Sequence, residues 1–287
     1  DIIDSSLIYI VDESVIDWDE SYIVYLRSIF DDGSYSSWVD SSNFSTYDIP
    51  EDYSNSSIET NIFMEDQYQP GITFLQKTII NKEGENIFFW STPNVDHDGM
   101  NFTFSHLSDN GNLLGWLKTS QETTVNAGIE IDYDGTLHWF SDEAVHHDLF
   151  PMPNGNYLGL VKEVFYAPPP EGSWLTEFEE YGITEIEWLG DKIIEWNSEG
   201  DIVWSWQTSD HISLEEFDSI LMENNLDDIL FGIEGFDWTH SNAVFYDEID
   251  NAVYLSIRHL SRIVKIDYDT GNIICQEKIN IENKKNK

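Results

Sequence analysis

The sequence predicts an all-β protein in which a small β-sandwich segment precedes a β-propeller. Short runs of aromatic and β-branched residues, broken at regular intervals by Gly, Asn and Asp, indicate many short strands. Four of these breaks repeat one pattern, an acidic or Asn-Gly turn followed by a second strand, which indicates repeated hairpins. Hydrophobic residues make up 40% of the 287 residues, which is enough to pack a core.

Residues 1–65 are predicted to hold part of the sandwich and the linker that follows it. Within residues 22–41, a tyrosine-bearing strand, an Asp-Gly turn and a Ser-Ser-Trp strand resemble the last strands of a fibronectin type III sandwich. The stretch at 45–60 is rich in Ser, Asp, Glu and Asn, which is typical of a linker. We therefore expect the propeller to occupy residues 66–287.

The hairpin pattern repeats across this second part with a spacing that suits propeller blades. The turn glycines are Gly111, Gly135, Gly200 and Gly271. Asp-Gly and Asn-Gly supply the positive φ of a tight turn, so each is expected to join two strands. Gly200 follows Gly135 by 65 residues and precedes Gly271 by 71, a period that fits one four-stranded blade. This period allows roughly three to four blades, so we expect a propeller that is incomplete at its C-terminal end. Unrelated hairpins in one large sandwich are the alternative.

Two further features are expected to be structural. Residues 212–232 are the one segment with a helical pattern, with Ser213 as the predicted N-cap. A group of tryptophans is predicted to lie mostly in the core, although one or two could stack on an aromatic substrate. The group comprises Trp174, Trp188, Trp196, Trp204 and Trp206.

The charge balance excludes several classes of partner. The chain has 13 Lys and Arg against 55 Asp and Glu, a formal net charge of −42. Without a cationic stripe to neutralise phosphates, neither nucleic-acid binding nor docking on anionic lipid is expected. A solvated acidic surface is the simpler interpretation of this charge, and cation binding is the more specific one. No apolar run approaches the length of a membrane span, so no membrane insertion is expected.

The single cysteine and the first residues of the sequence bear on the compartment. Cys275 alone excludes an internal disulfide and a multi-cysteine zinc site. The sequence opens with Asp1 inside an apolar run and shows no signal-peptide pattern, which indicates a mature secreted protein or a fragment of a longer one.

Three polar segments are explained neither by turns nor by a solvated surface. The first, at 145–158, holds His146, His147 and Asp148 ahead of a Pro-Asn-Gly-Asn turn. Adjacent histidines on a regular strand point to opposite faces, so only one of the two is expected to face a given cavity. Asp148 could accept a hydrogen bond from an imidazole and orient it.

The second and third segments add two histidines and an arginine. The second holds His240 and Asn242, and the third holds Arg258 and His259. In so acidic a chain, an arginine beside histidines indicates an anion site, because a guanidinium matches phosphate or sulfate as a planar fork. Each histidine alone would be interpreted as structural, but corresponding positions in successive repeats favour a shared central site.

These three segments resemble the arylsulfotransferase family, the arylsulfate sulfotransferases that use no nucleotide sulfate donor. The resemblance rests on His-His-Asp followed by Pro-Asn-Gly-Asn, on Asp-Trp-Thr-His-Ser-Asn, and on Ser-Ile-Arg-His-Leu-Ser with Lys-Ile-Asp. These motifs occur in the family's order over residues 70–275. The resemblance implies a six-bladed propeller behind a small N-terminal β-sandwich, and a secreted or periplasmic location.

The resemblance also implies an activity, the ping-pong transfer of a sulfuryl group from a phenolic sulfate ester to a phenol, without a metal or organic cofactor. In the family, one histidine becomes sulfated, and two other histidines and an arginine surround the sulfate. The matching catalytic positions are His146 or His147, His240 and Arg258. The expected substrate-binding residues are Asn242, His259 and Asp148. Such donors would stabilise the negative charge of the transition state, and a histidine would protonate the departing phenolate.

One departure from the family pattern concerns the nucleophile. In the family, the nucleophilic histidine follows the Lys-Ile-Asp strand and its hairpin, whereas no histidine follows His259 in this sequence. Three hypotheses remain: a chain that lacks its last blades, a non-catalytic propeller that keeps an anion pocket, or a nucleophile among His259 and the paired histidines. The alternative function is therefore an extracellular module that binds a sulfated or aromatic ligand, or a protein partner, without turnover. The sequence leaves the oligomeric state open.

Overall fold

A computed structural model of the chain describes residues 20–28, 30, 32–46, 71–74, 78–81, 86–89, 101–118, 126–132 and 135–278. The chain divides into two compact units, one formed by residues 1–73 and 78–89 and the other by residues 74–77 and 90–287. The domain boundary expected near residue 65 lies outside the described residues.

In the first unit, β1 (Ser21–Leu26) and β2 (Val39–Ser45) pair as an antiparallel hairpin. Tyr22 lies opposite Phe44, and their rings stack with centroids 5.3 Å apart. Three short strands form a separate sheet in the order β3 (Thr73–Phe74), β4 (Thr78–Ile80), β5 (Asn86–Phe89). One described hairpin does not define a sandwich, so the fibronectin-like segment stays a prediction.

Most strands of the second unit form a curled, half-barrel sheet in chain order. Its seven strands are β6 (Asn101–Leu107), β7 (Leu113–Lys118), β8 (Ala127–Ile131), β9 (Leu137–Pro151), β10 (Tyr157–Ala167), β11 (Ile186–Trp196) and β12 (Ile202–Gln207). The short β13 (Phe236–Asp237) pairs in parallel with β11. A separate antiparallel sheet contains β14 (Ser241–Asp247), β15 (Ala252–Ile257), β16 (Arg262–Asp267) and β17 (Ile273–Lys278).

The long strand β9 connects two groups of four strands. Its first half pairs with β8, where Phe140 lies opposite Ile129, and its second half pairs with β10, where Phe150 lies opposite Leu158. Each half of β9 thus completes a four-stranded group, comparable in size with the sheet of β14–β17. This arrangement is consistent with an incomplete propeller and agrees with the period of the sequence.

The turns predicted at the four glycines all join neighbouring antiparallel strands. The φ angles are 88° at Gly111, 83° at Gly135, 87° at Gly200 and 70° at Gly271. Because residues with a Cβ rarely adopt this left-handed conformation, glycine is required at these turns. The predicted hairpins are therefore confirmed.

The core of the second unit is rich in tryptophan. Trp188, Trp196 and Trp238 are fully buried, and the rings of Trp188 and Trp238 meet edge to face with centroids 5.7 Å apart. Trp174 and Trp206 are also buried. This confirms the structural role predicted for most of the tryptophan group.

Among the described residues, four short helices lie outside the sheets. They are α1 (Leu175–Glu180), α2 (Thr208–His211), α3 (Ser219–Asn224) and α4 (Leu226–Leu230). The segment 212–232 is helical in part, but the predicted N-cap is wrong: Asp218 caps α3 by accepting from the backbone N–H groups of Ile220 and Leu221. Ser213 instead begins a turn in which its carbonyl accepts from the N–H of Glu216. Within the described residues, no helix is both long and apolar enough to cross a membrane.

Candidate active site

His146 and His147 lie where β9 leaves β8 and joins β10. Between the pairs Val145–Val161 and Leu149–Gly159, β9 contains two more residues than β10, which forms a bulge. His147 within this bulge has a φ of 60°, a conformation that costs a residue with a Cβ about 1–3 kcal/mol. A bulge changes the direction of the side chains it contains.

The bulge brings both imidazoles to one place. The ring centroids of His146 and His147 are 5.2 Å apart, and those of His147 and His240 are 5.1 Å apart. The expectation that the paired histidines point to opposite faces is therefore wrong, because it assumed a regular strand.

His240 lies in the loop between β13 and β14 and has a φ of 48°. Its Nδ1 lies 2.5 Å from Oδ2 of Asp237. A carboxylate accepts, so Nδ1 carries a proton and, in the neutral ring, Nε2 has the lone pair. Arg258 Nη1 donates to this Nε2 over 3.4 Å. The contacts with Asp237 and Arg258 together favour the His240 tautomer that has its proton on Nδ1.

Arg258 and His259 lie in the turn between β15 and β16. Their backbone N–H groups donate to the carbonyls of His240 and Thr239, at 3.3 and 3.1 Å, so the turn is attached to the His240 loop. Nδ1 of His259 donates to the carbonyl of Asp237 over 2.7 Å, which leaves its Nε2 as the acceptor nitrogen. The ring centroids of His259 and His240 are 4.8 Å apart.

The structure therefore brings five of the predicted residues together. We call this group the histidine cluster: His146, His147, His240, Arg258 and His259. Three segments supply it: the β9 bulge, the loop before β14, and the turn between β15 and β16. The last two belong to the same four-stranded sheet, so the expectation that the three segments occupy corresponding positions in successive repeats is wrong.

Asp148 and Asn242 have other surroundings. Asp148 accepts from Ser105 Oγ at 2.7 Å, from His106 Nε2 at 3.0 Å and from the backbone N–H of Val244 at 2.9 Å. It therefore orients His106 rather than either paired histidine, and it connects β6, β9 and β14. Asn242 is the extra residue of a bulge in β14, and its side chain is exposed.

Asp191 on β11 lies beside the cluster, and the sequence analysis did not identify it. It is 3% exposed. Its Oδ2 accepts from Thr239 Oγ1 and from the backbone N–H of Ser241, both at 2.6 Å, and its Oδ1 lies 3.3 Å from His146 Nε2. Burial raises the pKa of Asp191, but the adjacent His146 imidazole and the hydrogen bonds from Thr239 and Ser241 outweigh it and leave the pKa below its usual value. Asp191 is thus an ionised, buried carboxylate.

The cluster could also be considered as a metal site. Among the described residues, Asp237, His240 and His259 form a group whose ligand atoms all lie within 4.8 Å of one another. The nitrogens concerned already donate to Asp237, and the Arg258 guanidinium places a positive charge beside His240. That charge favours an anion over a divalent cation at this position.

The pKa of His147 gives a testable pH dependence. Partial burial, with smaller contributions from His146 and His240, lowers the pKa of His147 below its usual value of 6.5. The folded protein therefore binds this proton less readily than the unfolded chain does. The free energy of unfolding should fall as the pH decreases through about 6.5, because the unfolded state then takes up the proton first.

We expect an NMR titration of the His147 imidazole to give a midpoint below 6.5. His147→Gln should reduce the pH dependence of the free energy of unfolding, measured with denaturant between about pH 8 and about pH 5. A midpoint at or above 6.5 would contradict this prediction.

These features describe a β-sheet protein in which a strand bulge, a loop and a turn gather four imidazoles and a guanidinium, an arrangement that has the chemistry to bind an anionic group. A family model described as Arylsulfotransferase (ASST) matches residues 72–275, more than half of the chain. The chain belongs to the arylsulfotransferase family, which confirms the family assigned from the three polar segments. No individual curated protein matches the chain at a significant level.

Proposed function

We propose that this protein transfers a sulfuryl group from a phenolic sulfate ester to a phenol by a ping-pong mechanism. Family membership supports sulfuryl transfer between aryl groups and small aryl substrates. The observation that carries the proposal is the arrangement around His240: two other imidazoles lie with ring centroids 4.8 and 5.1 Å away, and Arg258 lies 3.4 Å from its Nε2.

Arg258 has the chemistry to stabilise the transferred group. Sulfuryl transfer spreads negative charge over the non-bridging oxygens, and a guanidinium can donate to two of them at once. One N–H of Arg258 donates to His240, and the side chain is otherwise exposed, so further N–H donors are available to a ligand. We assign Arg258 the role of holding the sulfuryl oxygens.

His240 has the chemistry to exchange the proton. Its Nε2 can accept a proton, and the Asp237 carboxylate at Nδ1 stabilises the resulting imidazolium. The cycle begins with His240 as the imidazolium. In the first half-reaction, an imidazole nitrogen attacks sulfur, the bond from sulfur to the aryl oxygen breaks, and His240 gives its Nε2 proton to the departing phenolate, which leaves His240 neutral. In the second, the acceptor phenol oxygen attacks sulfur, the nitrogen–sulfur bond breaks, and the phenol proton returns to His240.

The covalent step needs a histidine that presents a lone-pair nitrogen to the sulfur atom of the substrate. The family's nucleophilic histidine has no matching position in this sequence, so the covalent step needs a histidine from another part of the protein or one from the cluster. Within the cluster, His147 is exposed with a lowered pKa, and His259 has Nε2 as its acceptor nitrogen. His240 is the proposed proton donor and His146 lies against Asp191, so we propose His147 or His259 as the nucleophile within the cluster.

An open groove beside the cluster is lined mainly by polar groups, among them the carboxylates of Glu215, Glu216 and Asp218. It measures about 420 Å³, within the usual range for small-molecule sites, and His259 is one of its lining residues. Phe217 and Leu260 supply apolar surface to the same groove. This acidic lining disfavours an anionic sulfate ester, so no substrate ring is assigned to the groove.

The proposal also covers the architecture and the location of the complete protein. We propose a six-bladed propeller for the complete fold, a fibronectin-like sandwich over the first residues and a secreted or periplasmic location. The proposal requires no organic cofactor or metal, since the cluster itself supplies charge and protons.

A non-catalytic binding module is the second candidate, and one observation favours it: the exposed Arg258 has N–H donors that could bind a sulfate ester without turnover. Initial rates of 4-nitrophenol release from 4-nitrophenyl sulfate, measured at several fixed phenol concentrations, separate the two. The enzyme predicts phenol-dependent release and parallel double-reciprocal lines. Folded protein that binds the sulfate ester in calorimetry but releases no 4-nitrophenol would overturn the enzyme proposal and support the binding module.

A further inference from the structure

Asp191 lies where the two elements that carry the paired histidines and His240 meet. One carboxylate oxygen accepts from Thr239 and Ser241, the residues on either side of His240, at 2.6 Å each. The other lies 3.3 Å from Nε2 of His146 in the β9 bulge. The Asp191 side chain therefore contacts both the β9 bulge and the loop that carries His240.

The position of this carboxylate is fixed by its own strand. The backbone N–H of Asp191 donates to Thr208 Oγ1 over 3.1 Å, and Thr208 Oγ1 in turn donates to Glu163 over 3.2 Å. The preceding Gly190 allows this close approach, since a Cβ there would come within 2.6 Å of Thr208 Oγ1. Thr208, Thr239 and Ser241 are all fully buried, so water does not compete for these bonds.

Two consequences follow for the histidines. Nε2 of His146 is buried and forms no hydrogen bond of good geometry. The negative charge of Asp191, 3.3 Å away, favours the tautomer with its proton on that nitrogen, which leaves Nδ1 with the lone pair. The bonds to Thr239 and Ser241 hold the backbone on both sides of His240, whose φ of 48° needs such support.

We propose that Asp191 is a positioning residue for the sulfuryl-transfer site: it fixes the tautomer of His146 and the backbone conformation at His240. The catalytic part of this inference rests on the proposed function, whereas the tautomer does not depend on turnover. Asp191 acts through the histidines and does not touch the substrate itself.

NMR of the imidazole nitrogens at about pH 8 tests the inference on the whole chain. We expect His146 to have its proton on Nε2 in the unmodified protein, and to shift toward the Nδ1-protonated form in Asp191→Asn. Glu195→Gln is the matched control, because Glu195 is also a buried carboxylate of β11 but accepts from Asn154, Asn156 and Tyr268 instead. It should lower the melting temperature and leave the His146 signals in place.

The kinetic readout separates this inference from the proposed function. If the protein transfers sulfuryl groups, Asp191→Asn should lower kcat about 10- to 100-fold and change KM by less than about threefold. A tautomer shift in a protein without transferase activity supports the positioning role and overturns the proposed function. Nδ1-protonated His146 in the unmodified protein overturns the inference even if the variant does not fold, and so does an unchanged tautomer in Asp191→Asn.

Discussion

Replacing Arg258 by alanine is expected to lower kcat/KM for sulfuryl transfer by about 10²–10³-fold. Arg258 is the guanidinium of the histidine cluster, 3.4 Å from His240 Nε2, and its remaining N–H donors are the ones that can bind sulfuryl oxygens. The loss should be measured as the initial rate of 4-nitrophenol release at saturating phenol. Because the side chain is exposed, the melting temperature should change little.

Two comparison variants make this prediction specific. Arg258→Lys keeps the charge but loses the planar fork, so it should recover only part of the rate. Arg27→Ala removes an arginine of the first unit that stacks on Tyr35, with its guanidinium carbon 3.7 Å from the ring centroid, and should leave the rate unchanged. A loss below about threefold in Arg258→Ala would contradict the assigned role.

The second large effect is expected for His240→Ala, with a loss in kcat of about 10²–10⁴-fold. The imidazole is the proposed proton donor to the leaving phenolate, and Asp237 and Arg258 fix its tautomer. Asp237→Asn should give a smaller loss, because the imidazole stays in place while its imidazolium form is no longer stabilised.

His138→Gln is the control for this prediction. His138 forms a similar pair with a carboxylate, its Nε2 lying 3.0 Å from Asp132 Oδ2, but it belongs to the first half of β9 and not to the cluster. Its removal should leave kcat unchanged. Equal losses in His138→Gln and His240→Ala would indicate a general effect of lost stability and contradict the role of His240.

The part of the fold that follows from local sequence was predictable. A tight hairpin turn needs a residue with a positive φ, and a glycine after Asp or Asn is typical of such turns. The hairpins could therefore be located from the sequence at Gly111, Gly135, Gly200 and Gly271. The continuity of β9 could not be predicted, because no residue in it marks the point where its partner changes from β8 to β10. The start of α3 was misplaced since Ser213 and Asp218 are both good N-caps, and only tertiary packing selects between them.

The site was predictable to the extent that its residues are chemically unusual. His146, His147, His240, Arg258 and His259 stood out in an acidic chain, and the structure gathers all five. The direction of the paired rings depended on a bulge, which has no sequence signature in this strand. Asp191 was missed because a single aspartate among 55 acidic residues carries no signal, and its strand also contains Glu187, Lys192 and Glu195. Asp237 was part of a quoted motif, but its contact with His240 could not be predicted.

The central claim is that the histidine cluster transfers a sulfuryl group between phenols. The most direct measurement is the amount of phenyl sulfate formed from 4-nitrophenyl sulfate and phenol, followed by mass spectrometry for the unmodified protein, Arg258→Ala and His240→Ala. The account predicts phenyl sulfate in equal amount to the released 4-nitrophenol with the unmodified protein, and almost none with either variant. Folded protein that forms no phenyl sulfate, or variants that form as much as the unmodified protein, would contradict it.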